Sequence, residues 1–208
     1  MGPGMPSLVL ASGSRYRARL LEEAGIDAEV RTPRFDERSL DEHFEAWGVD
    51  RYVVEVARHK AASVAGDVAP GTVIVAADQV AVADGRLLTK PLTADLAVEM
   101  LASMSGRTHE LVNGVVATVA PVGPVAFAVD RHLITMAPYD IAAARAYVER
   151  FEPLDCVGAY RIEDDAGLID AVSGSGRDGV IGLPLGIVRS LIERVTAHTT
   201  ARCPAAAQ

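Results

Sequence analysis

The stretch TVIVAADQVAVADGRLLTKP, residues 72–91, constrains the fold more than any other part of the chain. Thr72 to Ala77 is a run of β-branched and small apolar residues with no polar alternation, the pattern of a strand buried on both faces in a helix-covered sheet. The run stops at Asp78 and Gln79. A carboxylate at the carboxyl end of a buried strand stands where open α/β sheets place their chemistry. Val80 and Val82 then alternate with alanines, Asp84-Gly85 supplies the pair a tight hairpin requires, and Leu87-Leu88 leads to Lys90-Pro91. The hairpin is expected to bring Lys90 back toward Asp78, with a merely solvated surface hairpin as the alternative that this stretch leaves open.

With 208 residues, half of them hydrophobic, the chain suits one large domain or two small lobes around a shared core. No run is long and apolar enough to span a bilayer, and the first residues lack the charged start and apolar centre of a signal peptide, so a cytoplasmic protein is expected. Cys156, expected inside a strand, and Cys203, in a small-residue tail, show neither metal nor redox spacing, which fits a reducing compartment. A net charge of −8 argues against a binder of polymeric nucleic acid, which needs a basic face. Local basic clusters therefore carry more meaning than usual.

The first such cluster opens the fold. Leu8 to Ala11 reads as a buried strand, Ser12-Gly13-Ser14 as a turn, and Arg15 to Ala24 as a helix capped by Ser14. Arg15, Arg17 and Arg19 sit at a helix start, where the dipole disfavours cations unless an anion is present. Backbone N–H groups, hydroxyls and guanidinium forks together would cradle a phosphate; a solvated basic helix start is the alternative. Phe35-Asp36-Glu37-Arg38 is expected to be a loop whose acids are solvated unless other residues join them.

Asp50 is read as the cap of a helix running to about Ala65. Val53, Val56, Ala57, Lys60, Ala61 and Val64 fall on one stripe, with Lys60 near its middle, while Arg58 and His59 point away. The Lys60 stem either snorkels to water or carries its ammonium into a cleft that holds phosphate oxygens. Further on, Thr93 caps a helix from Ala94 to Met104 with a packing face of Leu96, Met100 and Leu101. Leu111–Ala120 and Val125–Ala137 read as antiparallel strands, Asp140–Phe151 as a helix, Val157–Ile162 and Leu168–Val172 as strands, and Pro184–Val195 as a last helix. Gly174, Gly176 and Gly179 spell G-x-G-x-x-G, yet no helix is expected there, so the segment reads as a flexible loop rather than a dinucleotide fingerprint. No G-x-S-x-G elbow and no zinc-spaced histidines occur.

Taken together, LVLASGSRYRARLL, FDER, VARHKA, AADQVAVADG, TKP, SGRTHELVNG, EPLDCVGAYRIE and GVIGLPL resemble, in order and spacing, the Maf family of nucleoside triphosphate pyrophosphatases, from Leu8 to about Leu185. The resemblance implies an α/β fold of Maf/ITPase-like type: a mixed, strongly twisted central sheet flanked by helices, with two lobes around a cleft. Residues 1–197 would form this single domain, often dimeric, and 198–208 a disordered tail. The implied reaction is hydrolysis, dependent on Mg²⁺ or Mn²⁺, between the α- and β-phosphates of a nucleotide.

Carried over residue by residue, the resemblance makes Asp78 the general base, Arg17, Lys60 and Lys90 the phosphate-side cations, and Glu37 with Asp78 the metal-side acids. Ser12, Gly13 and Ser14 would form the cradle. Tyr16, Gln79 and Glu163 occupy the positions that bear on base choice. They resemble the 7-methyl-GTP branch, which carries tryptophan, glutamine and glutamate there, more than the dTTP/UTP branch, which carries arginine, threonine and glutamine. An aromatic face attracts the cationic methylated base, and a carboxylate accepts from its N–H groups. Arg15 replaces the usual proline of both branches, and SGRTHEL is closer to the dTTP/UTP branch. A broad-specificity house-cleaning enzyme, and a nucleotide-binding regulator of septum formation that does not hydrolyse, are the other readings the resemblance carries.

Overall fold

A computed structural model describes residues 7–201. Its centre is a mixed seven-stranded sheet of order β2-β1-β3-β5-β6-β7, with β4 paired to β3. The strands are β1 (Leu8–Ala11), β2 (Glu29–Arg31), β3 (Val73–Ala83), β4 (Arg86–Leu88), β5 (Thr108–Val119), β6 (Val125–Met136) and β7 (Ile169–Ser173). The helices are α1 (Arg15–Glu23), α2 (Phe44–Ala65), α3 (Ala94–Met104), α4 (Ile141–Phe151), α5 (Arg177–Ile181) and α6 (Leu185–Ala201). Among the described residues no helix is long and apolar enough to cross a membrane. The chain divides into two compact units, the first holding the residues through Asp78, Asn113–Val129 and from Gly182 onward, the second Gln79–Val112 and Asp130–Ile181.

In the first unit β1 runs parallel to both β2 and β3, with Leu8 opposite Val73 and Ala11 opposite Ala76. The strand alternation sends Val9, Ala11, Ile74 and Ala76 to one face, where they pack with Val54, Ala57, Ala61 and Val64 of α2 and Val116 of β5. The other face is buried as well, Leu10 and Val75 being inaccessible to solvent. This is the double burial that the uniform apolar run predicts. The predicted stripe of α2 is buried throughout, Lys60 included. Gly48, at φ 70° and ψ 166°, breaks α2 near its start, so the regular helix begins after Gly48 and Asp50 lies in its first turn rather than capping it. Gly114 of β5 lies so close beneath α2 that a β-carbon would stand 2.4 Å from the Val53 carbonyl carbon.

The second unit has its own core, built from Val98, Leu101 and Met104 of α3, Ile134 and Met136 of β6, and Tyr147 and Val148 of α4. Asp84 (φ 49°) and Gly85 (φ 74°) make the turn between β3 and β4 in the left-handed conformation that tight hairpins favour. Thr93 caps α3 as expected, accepting from Leu96 N, and Asp140, expected as the first residue of the next helix, is instead the cap of α4, accepting from Ala143 N.

Several expectations need correction. Leu96 is 51% exposed, and α3 packs through Ala97, Val98, Leu101 and Met104. Residues 157–162 are not a strand: Gly158 and Ala159 have positive φ, so Val157–Ala159 and Ile162–Asp164 form 3-10 turns. Cys156 therefore lies at a turn, where burial and then Asp155 push its thiol up to about 12. The glycine-rich segment is no open loop, since α5 begins at Arg177. Likewise Glu37–His43 is a 3-10 helix, started by Asp36 accepting from Arg38 N. Finally, α6 carries on through 198–201, the first part of the expected tail; Cys203 and the rest of that tail lie outside the described residues.

Candidate active site

The first unit gathers four of the residues singled out in the sequence. Lys60 projects from the apolar face of α2 and its ammonium donates to Asp78 Oδ1 at 2.7 Å, with Glu37 Oε1 at 2.9 Å and the Ala77 carbonyl at 3.4 Å. All three ammonium donors thus face protein oxygens. Lys60 is 4% exposed and Asp78 5% exposed, so this is a buried pair, whereas the Glu37 side chain is half-exposed. A lysine buried among valines and alanines is tolerable only with its charge matched, which Asp78 and Glu37 do. The snorkelling alternative is therefore not what the structure adopts.

Arg17 reaches the same place from α1. Its Nε donates to the Gly182 carbonyl and its Nη1 to the Ala77 carbonyl, each at 2.8 Å. Burial pushes the guanidinium below its usual pKa, while the carboxylates of Asp78 and then Glu37 oppose that shift. Arg15 and Arg19 do not join it. At 100° per residue, Arg15 and Arg19 lie close together on one side of α1 and Arg17 on the other. Arg19 instead pairs with Glu23 at 2.7 Å in solvent, and Arg15 lies over the Tyr16 ring at 5.0 Å and donates to its hydroxyl. The expected triple-arginine cradle reduces to one guanidinium.

Ser12 is buried and accepts from Ser14 N at 3.1 Å; Ser14 Oγ accepts from Arg17 N at 3.4 Å, which closes the start of α1. Gly13 between them is exposed. Two neighbours missed in the sequence hold the Glu37 segment. Tyr52 of α2 is buried and donates to Asp41 Oδ1 at 2.6 Å, tying the 3-10 helix that begins at Glu37 to α2. Burial, then this bond, raise the Tyr52 phenol. A tyrosine eight residues before Lys60 on the same helix was the available signal.

Lys90, Gln79 and Glu163 belong to the second unit. Lys90 is exposed after β4, and Glu163 is exposed in the 3-10 turn Ile162–Asp164. Gln79 is held firmly: its Nε2 donates to the carbonyls of Gly179 at 3.1 Å and Val180 at 3.0 Å. With Nε2 so engaged, Oε1 is the side chain's acceptor.

The chain is similar to several pyrophosphatases over most of its length. A dTTP/UTP pyrophosphatase of Anaeromyxobacter dehalogenans (strain 2CP-C) is 38% identical over 197 residues, covering 91% of this chain and 94% of that protein. One of Moorella thermoacetica is 35% identical over 188 residues, covering 90% and 94%. A 7-methyl-GTP pyrophosphatase of Nitrosococcus oceani is 31% identical over 193 residues, covering 92% and 94%. The family model described as Maf-like protein matches residues 7–195, which is nearly all of the described structure, and the chain belongs to the Maf family.

Proposed function

We propose that the protein is a cytoplasmic, metal-dependent nucleoside triphosphate pyrophosphatase, active as a homodimer, that opens the α–β phosphoanhydride to give a monophosphate and pyrophosphate. The observation that carries this reading is the buried clamp in which the Lys60 ammonium holds Asp78 at 2.7 Å and Glu37 at 2.9 Å. Relatives named as pyrophosphatases support it. Asp78, fixed through Oδ1, has its second oxygen available to orient the attacking water and take its proton. Lys60 holds that carboxylate in place through its bond to Oδ1. Arg17 holds the Ala77 carbonyl beside it and presents the rest of its guanidinium to phosphate oxygens, with Lys90 as a further phosphate-side cation. Ser12, Gly13 and Ser14 lead into the N–H groups of α1, which face an anion favourably.

Glu37 and Asp78 offer hard oxygen donors, and no group of three or more His, Cys, Asp or Glu among the described residues could hold an ion by itself. Two carboxylates suit Mg²⁺ or Mn²⁺, which is commonly held by one or two carboxylates with substrate phosphates and water completing the shell. When bound, such an ion supplies charge to the phosphate oxygens and acidity to a bound water. In Asp78→Asn, pyrophosphate release should fall by about 10²-fold or more. Release at a near wild-type rate would remove Asp78 from this role.

For the base, Tyr16, Gln79 and Glu163 carry the 7-methyl-GTP reading. The second reading, dTTP or UTP, is favoured by the Arg15 guanidinium already lying over Tyr16, since it repels a cationic base, and by the names of relatives 35–38% identical. Turnover of 7-methyl-GTP, GTP, dTTP and UTP side by side separates the two.

A further inference from the structure

The second unit contains a buried ionisable pair that the proposed chemistry does not use. Asp130 and His132 stand two residues apart on β6 and so share one face of the strand. They are 6% and 1% exposed. His132 Nε2 lies 2.7 Å from Asp130 Oδ2, and Ser175 Oγ donates to Asp130 Oδ1 at 2.7 Å. The three residues are those of a hydrolytic triad, but the order is wrong for one. The carboxylate sits in the middle, and the ring nitrogen that would have to serve the hydroxyl, Nδ1, has no hydrogen-bond partner among the described residues. The arrangement binds a segment of backbone instead.

That segment runs from Gly174 into α5. A β-carbon on Gly174 would stand 2.2 Å from His132 Nδ1, and one on Gly179 would stand 2.3 Å from His132 Nε2 and 2.5 Å from Asp130 Oδ2. Gly174 also has a φ of 148°. The chain therefore passes close against both ring nitrogens of His132, with glycine at each approach and Ser175 fastened between. The same few residues hold Gln79, whose amide donates to Gly179 O and Val180 O. A helix of five residues has little stability of its own, so its position is set by what fastens it.

We propose that Asp130, His132 and Ser175 are positioning residues for base selection: they fasten the Gly174–Val180 segment, and that segment in turn fixes the Gln79 amide and aims its Oε1. This rests on Gln79 reading the base, as in the function proposed above. Gly174 and Gly179 thus have a structural purpose unrelated to dinucleotide binding.

Ser175→Ala removes one hydrogen bond at little steric cost, and Asp130→Asn keeps the volume while removing the charge. Both should raise KM for the favoured nucleotide by about three- to tenfold, the range of one net hydrogen bond, and shrink its preference over the other bases by the same factor. Their kcat should stay within about twofold, because neither touches the Lys60 clamp. Unchanged KM and base preference together with a lowered melting temperature would reduce the cluster to a structural support and overturn the proposal. Nuclear magnetic resonance of the nucleotide-free protein gives an answer that does not depend on activity. The Gln79 side-chain amide protons, assigned with Gln79→Glu, should exchange faster in Ser175→Ala than in the parent, and equal exchange overturns the proposal. A parent that releases no pyrophosphate from any of the four nucleotides would sink the enzymatic reading alone, with the amide exchange still deciding whether the fastening exists.

Discussion

Gly114→Ala should damage the proposed active site without touching it. An alanine β-carbon would lie 2.4 Å from the Val53 carbonyl carbon, 2.5 Å from its oxygen and 2.8 Å from Val54 N. Ordinary contact begins near 3.4 Å, so α2 and β5 must separate by about 1 Å, and since the obstacle is main chain no rotamer change relieves it. Overpacking of this size costs about 1–3 kcal/mol. In a chain of this length that lowers Tm by about 2–12 °C, at about 2–4 °C per kcal/mol. Lys60 lies about two turns beyond Val53 on the same helix, and its 2.7 Å bond to Asp78 has no slack for a 1 Å retreat. A displacement of that order in catalytic machinery costs about 10²-fold in rate. Differential scanning calorimetry and pyrophosphate release on the same preparation check both numbers. If Tm falls but kcat holds, packing at Gly114 does not set the lysine geometry; if neither changes, the close approach itself is wrong.

Stability should fall in mild acid through His109. It is 3% exposed beside Tyr160, and burial lowers its pKa from 6.5 to about 4. The folded value lies below the unfolded one, so the contribution is whole above pH 6.5 and is lost as pH drops toward 4, amounting to about 2 kcal/mol by pH 5. Urea unfolding at pH 7 and pH 5 should show that loss in the parent and not in His109→Gln; equal pH slopes would dismiss it. Arg17→Lys should lose about tenfold or more in kcat/KM, because a compact ammonium lacks the planar fork by which Nε and Nη1 reach the Gly182 and Ala77 carbonyls from fixed positions. Activity within twofold of the parent would show that charge alone suffices there.

How far the sequence revealed these features depended on whether the signal was local. The Asp84-Gly85 turn, the Thr93 cap and the Lys60 stripe follow from short-range chemistry and helical period, and the structure has each of them. The separation of Arg17 from Arg15 and Arg19 likewise follows from 100° per residue. Gly114, alone inside an apolar strand, carried the usual mark of close backbone approach. The run 157–162 misled because Ala159 adopts a positive φ that no sequence pattern announces. The Asp130–Ser175 bond joins residues 45 apart, and the fastening of Gln79 to Gly179 joins residues 100 apart, so neither has a local trace.

One of the four places where the chain passes from one unit to the other is the peptide bond between Asp78 and Gln79. Arg17, Glu37, Lys60 and Asp78 all lie in the first unit, while Gln79 and its fastening lie in the second. Descendants of such a chain can therefore retune Gln79 and its fastening within one unit while inheriting the Lys60 clamp unaltered in the other.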